Sequence, residues 1–262
     1  MITLLQFWVQ TIQQSTALFL QLLREPFRLG DRPVERIPMI LSYVAMISWL
    51  IRLVWVFIHS ETAPLSFENI YPTYYSYSIY LFLPWNLFLA WLPFVFSRYL
   101  YPDQPGIFFW PILGIWLLFL PNAPYLMTDF IHFGASTHST FFLELLTFTS
   151  FSAAGIALGS FSLFHIQYCF AKRFNVRYSW ALIPFILLLS AIGIFVGRVI
   201  RFNSWDALTR PFNVLATCVE FLSNPTELRF FVIFSLVCFT FLFLCYLMVY
   251  LPRRKLIESG DL

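Results

Sequence analysis

Hydrophobic residues along this chain form six long runs that are separated by short polar connections. The runs cover residues 37–58, 77–97, 105–121, 141–171, 179–200 and 229–251. A helix of about 20 apolar residues crosses the hydrocarbon core of a bilayer, and each run is close to that length. The pattern predicts an all-α fold, in which a polytopic integral membrane bundle of six transmembrane helices occupies residues 37–252.

The first 23 residues differ from these runs because glutamines recur on one face of a helix. Residues 1–23 contain no charged side chain, so they lack the basic start of a cleaved signal peptide. The spacing favours an amphipathic helix in the membrane interface, with a seventh transmembrane span as the alternative. We therefore predict an N-terminal interfacial helix and a basic cytoplasmic linker within residues 1–36, and a cytoplasmic tail at residues 253–262.

Lysines and arginines concentrate in alternate connections between the runs. They occur in residues 24–36, at Arg98, in residues 172–177 and in residues 253–255, whereas residues 122–139 contain none. Cytoplasmic connections are enriched in these residues, so both termini are predicted to be cytoplasmic. The expected location is a bacterial cytoplasmic (inner) membrane, which the chain crosses several times.

Composition supports the membrane assignment and excludes several classes of protein. The chain has 262 residues, of which 60% are hydrophobic and only 11% are charged, unlike an ordinary soluble protein. The net charge of +3 is explained by the topological distribution of basic residues, so no nucleic-acid partner is indicated. Four cysteines without a Cys-x-x-Cys spacing indicate neither a zinc site nor a disulfide framework.

The most constrained polar segment is residues 120–132, which we call the proline cluster. Pro121 and Pro124 lack a backbone donor and disfavour helix at the preceding residue, so the third run should break near Leu120. Asn122 then suits an N-cap, and a new short helix follows. Four polar side chains share one face of that helix at about 100° per residue: Tyr125, Thr128, Asp129 and His132. The alternative is an interfacial helix whose polar stripe only faces headgroups or water.

A second polar segment, the arginine cluster at residues 197–206, ends the fifth run. Arg198 and Arg201 are three residues apart and share a helix face at the edge of the apolar run. An arginine at this depth is costly unless it finds a carboxylate, a carbonyl or a bound anion. Asn203 begins the turn that ends the helix, and Asp206 is placed to orient one guanidinium.

The predicted topology places the two clusters on the same outer rim of the bundle. The hypothesis is an outward-facing site that binds a membrane lipid headgroup or another anionic or phosphate-bearing molecule, as a hydrolase or transferase. Asp129 and His132 would serve as acid and base. The predicted ligand-binding residues are Arg198, Arg201, Asn203, Asp206, Asn122, Tyr125 and Asn86. Asn86, a lone amide in the second run, also suits an interhelical hydrogen bond.

A purely structural interpretation of the same residues is a network of ion pairs. Asp129 would pair with Arg198 and Asp206 with Arg201, which would fix the third and fifth spans together. A divalent metal on Asp129, His132 and Asp206 is a weak alternative, because the set has one histidine and no cysteine. No metal and no cofactor is therefore predicted, and the oligomeric state is not indicated.

Two further functions fit the sequence. A small-solute transporter would use the proline break as a gate, since discontinuous helices often form transport sites. It would need a polar path to the cytoplasm. A non-catalytic membrane scaffold would dock a partner on the small residues of the fourth run, which are Ala153, Ala154, Gly155, Gly159 and Ser160.

The motifs of the two clusters resemble those of a known family. The stretches Asn86–Pro93, Leu117–His132 and Gly197–Asp206 are similar to the bacterial membrane family catalogued as domain of unknown function thirteen sixty-one. The likeness extends from about the second run to the sixth, with residues before about 37 outside it. It implies a multi-pass membrane protein that carries both polar motifs, and it implies no activity.

Overall fold

A computed structural model describes residues 36–59, 67–133 and 141–259 of the chain. The helices before the central one are α1 (Ile37–His59), α2 (Phe67–Arg98), α3 (Gly106–Phe119), α4 (Asn122–Tyr125) and a 3-10 helix (Leu126–His132). Those after it begin with α5 (Phe141–Arg173), α6 (Val176–Phe195), a π-helical turn (Val196–Ile200) and α7 (Asp206–Thr209). The last are α8 (Pro211–Ser223), α9 (Pro225–Tyr250), a 3-10 turn (Leu251–Arg253) and α10 (Arg254–Ser259). The predicted N-terminal interfacial helix lies outside the described residues.

Six helical segments in the described residues are long and apolar enough to cross a membrane, which confirms the predicted bundle. The first, second and fourth lie within the single helices α1, α2 and α5, whereas the fifth continues from α6 through the π-helical turn and the sixth continues from α9 into α10. The third differs, because the 14 residues of α3 rise only about 21 Å. It reaches the required length only when the chain continues through the proline cluster to His132. Part of that cluster is therefore inside the span rather than beyond its end.

Helix α5 occupies the centre of the bundle and packs against α1, α2, α6 and α9. One hydrophobic core lies between α5 and the helices α3, α6 and α9, and a second lies between α5 and the helices α1 and α2. Serines on α5 join neighbouring helices through hydrogen bonds, as when the Trp116 indole donates to Ser162 over 2.5 Å. In a bilayer such bonds and close packing, rather than water exclusion, hold helices together.

The small residues of α5 receive the proline cluster. A Cβ added to Gly155 would collide with the carbonyl oxygen of Ala123 and lie 2.9 Å from Leu126 Cδ1. A Cβ at Gly159 would lie 3.4 Å from the Ala123 side chain. The patch that was offered as a docking surface for a partner is therefore covered by the chain itself, so the scaffold hypothesis loses its proposed surface.

A buried ion pair also joins α1 to α5. Arg52 donates to Glu144 over 2.5 Å, and both side chains are almost fully buried. The Ser48 and Ser150 hydroxyls lie 2.9 Å apart close by. Charged groups within a membrane are tolerated when they pair, so this contact fixes α1 against the central helix.

Candidate functional site

The proline break ends α3 at Phe119, close to the predicted position, but it does not unwind the chain. Leu120 and Pro121 keep helical dihedral angles, with φ −52° and ψ −42° at Leu120. An N-cap residue requires non-helical geometry, so no N-cap position exists here. The prediction that Asn122 caps the next helix was therefore wrong. Its side-chain amide instead donates to Ser204 over 2.9 Å, which links the two polar clusters.

Beyond Tyr125 the chain tightens into a 3-10 helix rather than continuing as an α-helix. In a 3-10 helix, side chains three residues apart lie directly above one another. Asp129 and His132 therefore lie on one edge of this helix, about 6 Å apart along its axis. Asp129 lies in the middle of this 3-10 helix and is only 1% exposed. His132 is the last residue of the helix and is exposed, with its ring centroid 5.0 Å from that of Phe82.

The arginine cluster begins with a π-helical turn that ends at Arg201. Arg201 has φ 69° and ψ 37°, the left-handed conformation that glycine adopts most easily. The Phe202 N–H donates back to the Val196 carbonyl over 3.2 Å, which closes the turn. Single π-helical turns often occur at functional sites, and so do strained non-glycine residues. Because of this turn, the Arg201 side chain leaves the backbone in a different direction from the Arg198 side chain.

Arg198 is held from three sides by the proline cluster. Its Nη2 donates to Asp129 Oδ1, its Nε donates to the Thr128 hydroxyl over 2.7 Å, and its guanidinium carbon lies 4.1 Å from the Tyr125 ring centroid. The other oxygen of Asp129 accepts from the Asn86 amide over 3.1 Å. Each oxygen of the carboxylate thus accepts one hydrogen bond, one from Arg198 and the other from Asn86. This arrangement contains the predicted Asp129–Arg198 pair and gives Asn86 the interhelical bond that its position suggested.

The second predicted ion pair, between Asp206 and Arg201, was wrong. Asp206 pairs with Arg210 over 2.6 Å, and it accepts a hydrogen bond from the Asn203 backbone N–H over 2.8 Å. The reason is local, because residues four apart meet on one turn of helix. Asp206 therefore stabilises the loop that follows the site.

These contacts predict an acid-sensitive loop. The Arg210 hydrogen bond and the Asn203 N–H lower the pKa of Asp206 below its ordinary value of about 3.9. A carboxyl whose pKa is lower in the folded state contributes stability above the unfolded-state pKa, and that contribution is lost as pH falls through the folded-state pKa. We expect the difference in melting temperature between the wild type and Asp206→Asn to be constant near neutral pH and to shrink below about pH 4. A difference that grew with acid would contradict the assignment.

A cavity of about 690 Å³ lies where the two clusters meet. Its polar wall consists of Asn86, Asn122, Tyr125, His132, Arg198, Arg201, Asn203 and Ser204. Its apolar wall consists mainly of Leu89, Leu117, Leu118, Leu189, Ile192, Val196 and Val214. Seven of the nine predicted site residues therefore line one space. Asp129 lies behind Arg198 rather than in the wall, and Asp206 also lies outside it.

Arg201 also lies in the cavity wall, but its contacts differ from those of Arg198. Within the described parts of the chain its side chain forms no hydrogen bond or ion pair, whereas Arg198 is engaged by Asp129 and Thr128. No group of three histidine, cysteine, aspartate or glutamate side chains that could hold a metal occurs in the described residues. Asp129, His132 and Asp206 therefore do not assemble into the metal site that was the weak alternative.

Sequence reasoning missed two kinds of site residue. Thr128 and Ser204 act as hydrogen-bond partners within the site, although they were noted only as members of the polar segments. The apolar wall was also missed, because leucines in a transmembrane span carry no signal until the space between helices is known. Arg210 could have been found from its spacing of four residues from Asp206.

Comparison with known families agrees with the resemblance seen in the motifs. The sequence model of the family described as "Protein of unknown function (DUF1361)" matches residues 85–259. The chain belongs to this family. The match begins in α2 and includes every residue of the two clusters, so the family covers the whole candidate site. No curated protein matches the chain, and no solved structure matches it either.

Proposed function

We propose that the cavity binds a phosphate-bearing or similarly anionic group, of the kind carried by lipid headgroups. The observation that supports this most directly is Arg201, a cation in the wall of a large cavity that pairs with no carboxylate among the described residues. Its guanidinium offers several donors in a planar fork that suits phosphate oxygens. An arginine at the edge of a membrane span is favourable when an anion completes its surroundings.

The neighbouring groups extend this anion site. Arg198 is fixed by Asp129, Thr128 and the Tyr125 ring, so it presents its remaining surface to the cavity with little freedom to lose on binding. Asn122, Asn203 and Ser204 supply neutral amide and hydroxyl groups around Arg201. Because the Asp129 charge balances Arg198, the net positive charge of the wall comes mainly from Arg201.

Hydrolysis or group transfer on the bound headgroup remains part of the proposal. His132 lines the cavity at its outer end, where an imidazole could exchange protons with a bound phosphoester. The contacts of Asp129 favour a positioning role, since both of its oxygens are occupied and its side chain is buried. The catalytic role that the sequence suggested for Asp129 stays a prediction, and the geometry supports it less than it supports His132.

A transporter is less well supported. Its gate would require the proline break to open, yet the backbone there stays helical and packs tightly on Gly155. Away from the arginines most of the cavity wall is apolar, as at Leu89, Leu117 and Leu189, so the wall offers few polar groups along a path for a solute. Alternating access requires helices that rock or gate around the site, so this tightly packed segment suits binding or catalysis better than transport.

The proposal is tested by replacing Arg201 in two ways. Arg201→Gln and Arg201→Gly should each weaken the retention of phosphatidic acid in mixed detergent micelles by about tenfold to a hundredfold, the value of a charge-assisted hydrogen-bonded contact. Native mass spectrometry of the purified protein measures the bound lipid. Phosphatidic acid binding that is the same in the wild type and both variants would refute the proposal.

The same position predicts a gain in stability. Arg201→Gly relieves a left-handed backbone, so we expect it to raise the melting temperature by about 2 to 4 °C, corresponding to roughly 1 kcal/mol. Arg201→Ala is the matched control, because alanine removes the same guanidinium and retains the strain. Equal melting temperatures for the glycine and alanine variants would show that the conformation at Arg201 is not costly.

A further inference from the structure

The two walls of the cavity differ in chemistry along the direction of the helices. Arg198, Arg201 and Asn203 lie at one end, beside the loop that follows the π-helical turn. At the other end the wall is formed by five apolar residues that we call the apolar groove, which are Leu89, Leu117, Leu118, Leu189 and Ile192. A free inorganic anion would use only the first end.

The change from apolar to cationic follows one face of α6 and its π-helical turn. Leu189, Gly193, Val196 and Gly197 succeed one another at helical spacing and lead to Arg201, and all of them line the cavity. Leu189 lies nine residues before Arg198, which is about 13 Å along a helix. A ligand lying along this face would place an anionic group at the arginines and an apolar chain against the leucines.

The apolar groove continues onto the exposed apolar surface of the bundle. Ile115 lies one turn from Leu118 on α3 and is exposed. On α6, Phe185 lies one turn from Leu189 and Leu188 lies one turn from Ile192, and both are exposed as well. In a membrane protein these exposed side chains face lipid. The groove thus has an apolar opening on the side of the bundle.

The helices that flank the groove pack mainly against other helices. The principal packing partner of α3 is α2, whereas α6 packs mainly against α9 and α5. They approach closely at Gly193, where an added Cβ would lie 2.5 Å from Pro121 Cγ, just beyond the end of α3. The wall residue Ile131, next to His132, is 71% exposed. A volume of about 690 Å³ is in the range of sites that hold a drug-sized organic molecule, well above the need of one phosphate.

Helix α8 indicates that the polar end of the cavity lies at the depth of the lipid headgroups. Val214 of α8 lines the cavity, while Phe212, Leu215 and Val219 form an exposed apolar face on the same helix. Its polar residues, Asn213, Thr217 and Glu220, lie on a separate exposed face. A short helix divided in this way lies in the plane of a membrane interface, so it marks the level at which headgroups occur.

We propose that the ligand is a phosphate-bearing lipid that enters sideways from the bilayer, with its phosphate at Arg201 and its hydrocarbon chain in the apolar groove. This inference rests on the proposed function, since it assumes that the arginine end binds an anion. It adds the class of ligand and the route of entry. Each buried methylene favours binding by about fourfold, so the chain should supply much of the affinity.

The test separates the chain from the headgroup. Wild-type protein in detergent micelles is titrated with phosphatidic acid and, separately, with glycerol 3-phosphate, which carries the phosphate without the chains. We expect phosphatidic acid to bind at least about a hundredfold more tightly. Leu189→Trp fills the groove and should weaken phosphatidic acid binding by at least about tenfold, with no effect on glycerol 3-phosphate.

Leu244→Trp is the matched control, because Leu244 is also a leucine in a transmembrane helix, but it is 56% exposed on α9 and lies outside the cavity wall. It should bind phosphatidic acid as the wild type does. If Leu189→Trp fails to fold, Leu118→Trp narrows the groove from the opposite helix and replaces it in the comparison.

Each outcome decides between the two proposals. Glycerol 3-phosphate binding that equals phosphatidic acid binding, together with no effect of the groove variants, would overturn the lipid inference. Loss of binding in Arg201→Gln would in that case still support an anion site. Phosphatidic acid binding that depends on Leu189 and not on Arg201 would instead refute the anion site and with it the placement of the phosphate.

Discussion

Asp129→Ala is expected to lower the free energy of unfolding by about 3 to 5 kcal/mol, the cost of leaving one buried partner of an ion pair without the other. Arg198 has a side chain that is only 16% exposed, so water cannot replace the carboxylate fully. The Asn86 amide would also lose its acceptor. Unfolding of the protein in dodecyl maltoside with increasing sodium dodecyl sulfate, followed by circular dichroism, measures the loss.

Two controls distinguish the loss of a buried ion pair from the general effect of removing a charged side chain. Arg210→Ala removes a guanidinium that is 60% exposed, and such pairs contribute about 1 kcal/mol or less. The double variant Asp129→Leu with Arg198→Met removes both charges and should recover most of the stability that Asp129→Ala loses. If the Asp129→Ala protein were as stable as the Arg210→Ala protein, the Asp129–Arg198 pair would not be shielded from water.

Gly155→Ala is expected to destabilise the protein by about 3 kcal/mol and to displace the proline cluster. The added methyl would meet a backbone oxygen at Ala123, which cannot rotate away as a side chain can. Because Asp129 follows six residues after Ala123, a shift of this segment would also disturb the contact with Arg198. We expect weaker phosphatidic acid binding together with the lower stability.

Gly114→Ala is the matched control for this substitution. Gly114 is also within a transmembrane helix, but an added Cβ there meets nothing within 4 Å. Alanine is favoured over glycine in helices by up to about 1 kcal/mol, so this variant should be neutral or slightly more stable. Equal destabilisation by the two substitutions would contradict the close packing of Gly155.

The six spans could be predicted because length and apolar character alone decide whether a segment can cross a bilayer. The partnership of Asp129 and Arg198 was also within reach, since charged groups at one depth of a membrane have few other partners. The position of Arg210, four residues after Asp206, could have indicated their pairing. The left-handed conformation of Arg201 is different, because the sequence around an arginine does not reveal it.

Other details of the site depend on the tertiary arrangement of helices. Pro121 correctly marked the end of α3, but whether the chain unwinds or stays helical depends on the surface of α5 that receives it. The apolar groove depends on the spacing of α3 and α6. In the sequence, Leu117 and Leu189 cannot be distinguished from other transmembrane leucines. Only the structure shows that they line one cavity from two different helices.

The separation of Asp129 and Arg198 along the chain has a consequence for biosynthesis. The two residues are 69 positions apart, so the carboxylate leaves the ribosome first. At a translation rate of about 5 to 20 residues per second, roughly 3 to 14 seconds pass between the synthesis of Asp129 and that of Arg198. Asn86 is synthesised earlier and can bond to the carboxylate during that interval. The amide thus offers a temporary partner while the nascent protein is being inserted.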